Sequence, residues 1–406
     1  MKKCIAILDC LAGDNGKGRA SHWFGSRNQF DWCIRPNSGS NAGHQIYRDG
    51  RKYSHHLLPC ANYNTPIKSY LGAGMMIDLE ELLAEINLFR KDYPDMAKSI
   101  YVDADAFIVS KEHIQQDREK NGHLMTTGKG IGPATVDKYN RTGTRIYNLI
   151  NDNADIIKAL SSLGVTFTYA LALRNNFEKS SLLFEGAQGI LLDLQSGIYN
   201  YVTTTDTTVS GIYASGFHFV KLDRVYGVIK AGYMTKSGAG PLPTEMPKEE
   251  ALMWRTKGAE FGVTTGRDRR IAYMDFPMLK YGILKGGITH LILTKLDIMN
   301  GAEKIKVCYD YGKEIHSPND FKDVKPHYVE LPGWQDARDS KQVAPFIEHI
   351  QNYTNTPVEY ISVGVEDSDM FEVGASPENI QPTSYPSLAE AMTQIRNSQK
   401  KAINHD

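Results

Sequence analysis

Gly13-Asp14-Asn15-Gly16-Lys17-Gly18 stands between an apolar run, Cys4 to Leu8, that reads as a buried strand, and Arg19 to Ser26, which can open a helix. Strand, glycine-rich turn and helix make a phosphate cradle, with backbone N–H groups and the helix N-terminus facing the anion and a lysine adding charge. The spacing is not that of a Walker A loop, whose first glycine would fall at Leu11. An aspartate also sits inside the cradle, and a carboxylate beside phosphates is repulsive unless it binds Mg²⁺ or moves a proton. For these six residues alone, a tight strand-to-helix turn is the simpler explanation.

A chain of 406 residues can hold two or three domains, or one large α/β domain with insertions. The formal net charge of −1 gives no reason to expect nucleic acid or an anionic membrane as partner. No apolar run approaches the roughly 18 residues of a membrane span, and Met1-Lys2-Lys3 does not open a signal peptide. Cys4, Cys10, Cys33, Cys60 and Cys308 are scattered without CxxC spacing, which indicates neither a disulfide framework nor a cysteine zinc site. The expected setting is a reducing cytoplasm.

Short apolar runs at Ile5–Leu8, Trp32–Ile34, Ser69–Leu71, Ile100–Val102, Leu182–Phe184, Val225–Ile229 and Leu291–Leu293 alternate with helical patterns. That alternation predicts an α/β fold with a central, mostly parallel sheet flanked by helices. Asp78 and Glu81 are spaced as a capping box for a helix through Leu82, Ile86 and Phe89. Further helices are expected at Lys111–Lys120, Lys341–Tyr353 and Leu388–Ile403. With no repeat, low-complexity tract or composition break, residues 1–406 read as a single interrupted domain.

Five long glycine-rich loops separate these elements: Asn37–His44, Thr126–Ala134, Glu185–Gly189, Ser237–Pro243 and Gly262–Arg270. Long ordered loops in a compact domain are usually functional. Asn41-Ala42-Gly43-His44 sets a histidine beside small residues that let a substrate approach the backbone. Thr126-Thr127-Gly128-Lys129-Gly130-Ile131-Gly132-Pro133 offers hydroxyls, amides and a lysine, which suits a second phosphate or a flexible surface loop equally well. Lys295-Leu296-Asp297 follows the buried run ending at Thr294, in the order of the guanine-reading element of GTPases; a strand-end ion pair is the plainer alternative. Thr264-Thr265-Gly266-Arg267-Asp268-Arg269-Arg270 concentrates guanidinium groups near hydroxyls, as a dicarboxylate site requires, or forms a solvated basic loop.

In this order, the loops resemble those of adenylosuccinate synthetase. So do Phe184-Glu185-Gly186-Ala187-Gln188-Gly189, Tyr201-Val202-Thr203, Gly238-Ala239-Gly240-Pro241, Pro243-Thr244-Glu245 and Leu293-Thr294-Lys295-Leu296-Asp297. The resemblance runs from the first strand to about Gly364. It implies a P-loop-like synthetase fold and an enzyme that joins L-aspartate to C6 of a 6-oxopurine nucleotide, with GTP as phosphoryl donor and Mg²⁺ as cofactor. A lactam oxygen leaves poorly, so it is first phosphorylated and then displaced by the aspartate amine. Asp14 would take the N1 proton, and His44 would donate to the oxygen under transfer. Asp14 and the Gly43 carbonyl would ligate the metal. Gly16, Lys17, Gly18, Lys295, Asp297, Ser362 and Gly364 would hold GTP. Asn41, Thr127, Arg141, Gln188, Thr203, Ser237 and Arg267 would hold the acceptor nucleotide, Arg141 from the other subunit of a homodimer. Thr265, Arg267 and Arg269 would hold aspartate.

Five positions depart from the usual family pattern. Ala12 replaces a tryptophan, Asn15 a glutamate, Ser237 a valine near the ribose and Val365 a proline beside the guanine, while Asp268 interrupts a run of arginines. Inosinate is the first expected acceptor. Deoxyguanylate, used by a divergent phage branch that makes the precursor of 2-aminoadenine DNA, is the alternative. A silent guanine-nucleotide sensor is the third reading, supported only by Asn15 and Asp268. A Rossmann dehydrogenase is excluded because Gly16, Gly18 and Arg19 do not supply G-x-G-x-x-G. A classical P-loop GTPase is excluded because Gly18 follows Lys17 where a serine or threonine is needed.

Overall fold

Cys4–Asp9 forms a middle strand of an 11-stranded sheet in the computed structural model. The structure describes residues 2–27, 29–48, 50–60, 66–120, 125–263 and 266–373. The helix expected at Leu388–Ile403 lies outside them. Across the sheet the order is Met370–Glu372, Val358–Ser362, His290–Thr294, Arg224–Lys230, Cys4–Asp9, Leu182–Glu185, Trp32–Gly39, Lys68–Ile77, Ile100–Asp103 and Thr166–Thr168; Phe107–Ile108 pairs with Lys68–Ile77 off this path. Every pairing is parallel except that of Val358–Ser362 with Met370–Glu372.

Both faces are covered, and the first strand shows why its sequence is apolar from Cys4 to Leu8. Side chains alternate along a strand. Cys4, Ala6 and Leu8 join a core with Phe276, Leu279 and Ile283 of helix Phe276–Gly286. Ile5 and Ile7 join another with Ala20, Trp23 and Phe24 of helix Lys17–Gly25. A strand buried on both faces reads as a continuous hydrophobic run.

All seven expected strands form, and most run on past their apolar stretch; Trp32–Gly39 continues through Arg35, Pro36, Asn37 and Ser38. Two units were not expected from sequence. One is a four-stranded sheet of Tyr233–Lys236, Arg270–Asp275, Lys304–Asp310 and His327–Pro332; the other is the hairpin His44–Arg48/Arg51–His55. Asp78 caps helix Leu79–Phe89 by accepting from the Glu80 and Glu81 amides. The Glu81 carboxylate turns instead to Lys129 Nζ at 2.7 Å, so the box is only half made. Among the described residues no helix is long and apolar enough to cross a membrane.

Because the strands are parallel, Asp9, Gly39, Glu185, Lys230 and Thr294 end at one edge of the sheet. The loops leaving that edge converge, as ligand-binding loops of open α/β sheets do.

Candidate functional site

The glycine-rich turn is built around a residue outside the hexapeptide. Asp9, buried at the end of the first strand, accepts through Oδ1 from Leu11 N (3.0 Å), Gly13 N (3.1 Å) and Asn15 Nδ2 (2.8 Å). Its Oδ2 accepts from Asn15 N (3.2 Å) and Lys17 Nζ (3.1 Å). Amides and a lysine expected to face a phosphate therefore converge on a carboxylate of the protein itself. Gly13, Asp14 and Gly16 have φ of 86°, 62° and 101°, and Gly16 caps helix Lys17–Gly25. Thr294 Oγ1 donates to the Asn15 carbonyl at 2.7 Å, fastening the turn to the strand that leads to Lys295.

Left-handed backbone at Asp14 points its carboxylate toward Ser237 and Arg269. Oδ2 accepts from Ser237 Oγ at 3.0 Å and forms an ion pair with Arg269 Nε at 2.9 Å. Burial alone would raise this carboxyl, but Arg269, Lys230, Lys17 and the Ser237 hydroxyl outweigh it and hold it below its ordinary value. No described residue bonds Oδ1, and no described backbone bond takes the Gly43 carbonyl. Both are hard oxygen donors of the kind Mg²⁺ takes.

His44 opens the hairpin, buried against the start of helix Lys17–Gly25. A Cβ on Gly18 would lie 2.8 Å from His44 Cβ and 2.9 Å from Cys60 Sγ, so only glycine permits this approach. His44 Nδ1 lies 2.6 Å from Glu185 Oε1. Glu185 is fully buried, accepts from Cys60 N at 2.8 Å and lies 3.8 Å from Arg35 Nη1. Burial opposes its charge, yet the histidine, Arg35 and the Cys60 amide bring its pKa down to about 2. An ionised carboxylate only accepts, so Nδ1 carries the proton, and Nε2 is left buried without a described partner. Burial also lowers the His44 pKa against the pull of Glu185, so the resting imidazole is neutral.

The nucleotide loops meet at Ser38, whose φ is 82°. Its hydroxyl donates to Asn41 Oδ1 (3.2 Å) and accepts from Gln188 Nε2 (2.9 Å), so Asn41 and Gln188 are brought together. Thr127 and Thr203 are half-buried, outside helices and strands. Arg267 Nη1 donates to the Met125 carbonyl at 3.0 Å and links the 125–130 and 266–270 segments. The arginines do not form one patch: Arg267 faces Met125, Arg269 faces Asp14, and Arg270 braces Glu245 (2.7 Å) and the Gly240 carbonyl (2.7 Å). Asp268 pairs with Arg255 at 3.2 Å. Thr264 and Thr265 lie outside the described residues. Lys129, expected near a phosphate, is held by Glu81.

At the other end, Lys295 has φ 58° and donates through Nζ to the Gly258 carbonyl (2.6 Å) and Glu260 Oε1 (2.7 Å). Asp297 is half-buried, and burial together with nearby Asp369 raises its pKa against the pull of Lys295 and Arg338. Ser362 Oγ donates to the Gly364 carbonyl at 3.0 Å, and a Cβ on Gly364 would meet Asp369 Oδ2 at 2.3 Å. Arg141 stands apart, exposed just past helix Ile131–Asn140, and joins none of these groups. Sequence reasoning did not find Asp9, Arg35, Ser38, Lys230 or Glu260, and quoted Glu185 without giving it a role. Only Asp9 and Glu185 carried a signal, as acidic residues closing an apolar strand before a glycine-bearing turn.

Residues 6–164 and 154–371 match the family model described as adenylosuccinate synthetase. The adenylosuccinate synthetase of Petrotoga mobilis is 37% identical over 412 residues, covering 91% of this chain and 97% of that one. That of Thermotoga maritima is 35% identical, covering 89% and 98%. Among solved structures, the fully ligated adenylosuccinate synthetase of Plasmodium falciparum superimposes with a TM-score of 0.79 at 30% identity, covering 91% and 99%. A cyanophage S-2L succinoaminodeoxyadenylate synthetase bound to dGMP and dATP superimposes at 0.68 with 19% identity, covering 98% and 99%, a likeness of fold.

Proposed function

Since the chain belongs to the adenylosuccinate synthetase family and is a ligase that forms C–N bonds, we propose that it joins L-aspartate to C6 of inosinate with GTP as phosphoryl donor. Asp14 accepts the N1 proton while O6 attacks the γ-phosphorus and the bond to the GDP oxygen breaks. His44 Nε2 faces the oxygen under transfer. Anionic substrates raise its proton affinity, so it enters the reaction as a donor stabilising developing charge. The aspartate amine then adds at C6, one amine proton passes to solvent, and the C6–O bond breaks with release of phosphate. Asp14 and the Gly43 carbonyl would hold Mg²⁺, which when bound neutralises phosphate charge.

The observation that carries this reading is the buried, unpartnered Nε2 of His44 at the end of the Arg35–Glu185–His44 chain. Most buried side-chain polar atoms are hydrogen-bonded, so a buried nitrogen left open at the end of such a chain supports a place for substrate. Lys17, Gly16 and Gly18 take the GTP phosphates, with Lys17 leaving Asp9 for them. Lys295, Asp297, Ser362 and Gly364 take the guanine. Asn41, Thr127, Gln188, Thr203, Ser237 and Arg267 take the acceptor, and Thr265, Arg267 and Arg269 take aspartate. Exposure of Val136 (57%) and Tyr139 (70%) on the helix leading to Arg141 supports a homodimer in which that arginine completes the partner's site. Participation of residues from Cys4 to Glu372 in one sheet supports a single domain.

Deoxyguanylate is the second reading, and Ser237 favours it. Its hydroxyl, 3.0 Å from the carboxylate assigned to N1, offers an acceptor that a 2-amino group could use. Phosphate release is to be measured with GTP, Mg²⁺ and L-aspartate against IMP, dIMP, GMP and dGMP, with products identified by mass. The reading expects an aspartate-dependent product from IMP. Product from dGMP alone moves the assignment to the second reading, and no product from any of the four removes both.

A further inference from the structure

Glu260 is fully buried, and both of its oxygens are filled. Oε2 accepts from Lys230 Nζ (2.8 Å) and Arg269 Nη1 (2.7 Å). Oε1 accepts from Lys295 Nζ (2.7 Å) and the Tyr233 hydroxyl (2.7 Å). Four donors saturate a carboxylate. Two of the four belong to different substrates in the proposed reaction: Arg269 stands between Asp14 and the aspartate loop, and Lys295 precedes the guanine reader. The backbone repeats the connection. Glu260 N donates to Arg255 O (2.9 Å), ending helix Lys248–Gly258, and Glu260 O accepts from Arg269 N (3.1 Å), closing the base of the loop that carries Arg267. Within that loop Gly262 N donates to Arg267 O at 2.8 Å.

Charge explains why an acid is required. Lys230, Arg269 and Lys295 crowd one spot around Glu260, and of these only Arg269 lies within ion-pair distance of Asp14. Without Glu260, like charges would drive Arg269 and Lys295 apart, and their directions would no longer be set by a common partner. We propose that Glu260 is a positioning residue that fixes Arg269 for the dicarboxylate and Lys295 for the purine base of the phosphoryl donor in a single act. This rests on the assignment of those two residues to aspartate and GTP.

The test is steady-state kinetics of the full chain carrying E260Q, with each of three substrates varied in turn. Glutamine keeps the shape but removes the charge and turns an N–H₂ toward a cation. The KM values for GTP and for aspartate are expected to rise together by about tenfold or more, while that of the purine monophosphate stays within about twofold. Should E260Q fail to fold, K230M/E260Q removes opposite buried charges together and leaves Arg269 and Lys295 unanchored, with the same KM pattern expected. E260D, which retains charge on a shorter stem, should recover part of the loss. A rise in one KM only, an equal rise in all three, or no rise overturns the proposal. An unmodified protein that needs neither GTP nor aspartate would overturn the functional assignment instead, before any variant is compared.

Discussion

Replacing Glu185 with glutamine leaves an oxygen for the Nδ1–H of His44 but removes the charge that Arg35 faces. Arg35 is fully buried, and its Nε and Nη2 have no described partner, so the carboxylate is the main compensation for its charge. With that carboxylate gone, the imidazole loses the anion that favours its protonated form when substrate arrives. Glu185→Gln should lower kcat about 100-fold, with little change in the KM for GTP; an unchanged kcat would remove the Glu185–His44 pair from the mechanism. Asp9 has the opposite sign. It lies behind the turn as a buried anion and holds Lys17. Asp9→Asn keeps an acceptor for the Leu11 and Gly13 amides but frees the ammonium for phosphate. GDP should therefore bind several-fold tighter by calorimetry, and weaker binding would show that the carboxylate instead shapes the cradle. Asp14, Lys17 and His44 were legible because their glycine-bearing motifs occur together in the order of the family they resemble, although each motif singly had a plainer reading. Arg35 and Glu260 were not, because a buried charge and an exposed one are the same letter until the fold supplies the partner.

The hairpin His44–Arg48/Arg51–His55 pairs His44 with His55 at its open end, which puts a pH liability beside the site. His55 is fully buried and stacks on Phe89 with ring centroids 4.8 Å apart. Burial, reinforced by Arg35 and the neighbouring histidines and only partly offset by Glu185, takes its pKa down to about 3. The unfolded chain binds a proton there below about pH 6.5, whereas the native state refuses it until about 3. Stability from this residue is therefore constant above 6.5 and lost as the pH falls. Relative to His55→Phe, the unmodified protein should lose about 1.4 kcal/mol per pH unit between 6.5 and 4 in urea unfolding; parallel curves would mean that His55 protonates in the native state. Elements with continuous apolar runs, such as Cys4–Asp9 and His290–Thr294, could be read directly because both faces are buried. This hairpin and the four-stranded sheet could not. Lys304–Asp310 and His327–Pro332 pair with each other across residues 311–326 and mix buried with exposed and half-buried residues, so neither shows a run buried on both faces or a strict alternation.

At the scale of the whole molecule, the parallel sheet gathers the loops of residues 10–16, 40–43, 186–189 and 295–297 at one edge. Arg141 is left outside that gathering. If it serves a partner's site, activity becomes a property of pairs, and two dead variants can complement each other. Let one protomer carry Asp14→Asn and the other Arg141→Leu. In a mixed dimer the Arg141→Leu protomer has its own Asp14 and borrows a sound arginine, so its site works. The Asp14→Asn protomer lacks both groups and stays silent. Random pairing of equal amounts makes half the dimers mixed, each with one working site, and about a quarter of full activity should return on mixing. An arginine acting within its own protomer gives no recovery at any ratio, because each site then lacks one group permanently. Phosphate release measured across a mixing series, after exchange of subunits in mild denaturant and its removal, separates the two cases. The recovered rate should be largest at equal proportions and vanish at either pure end.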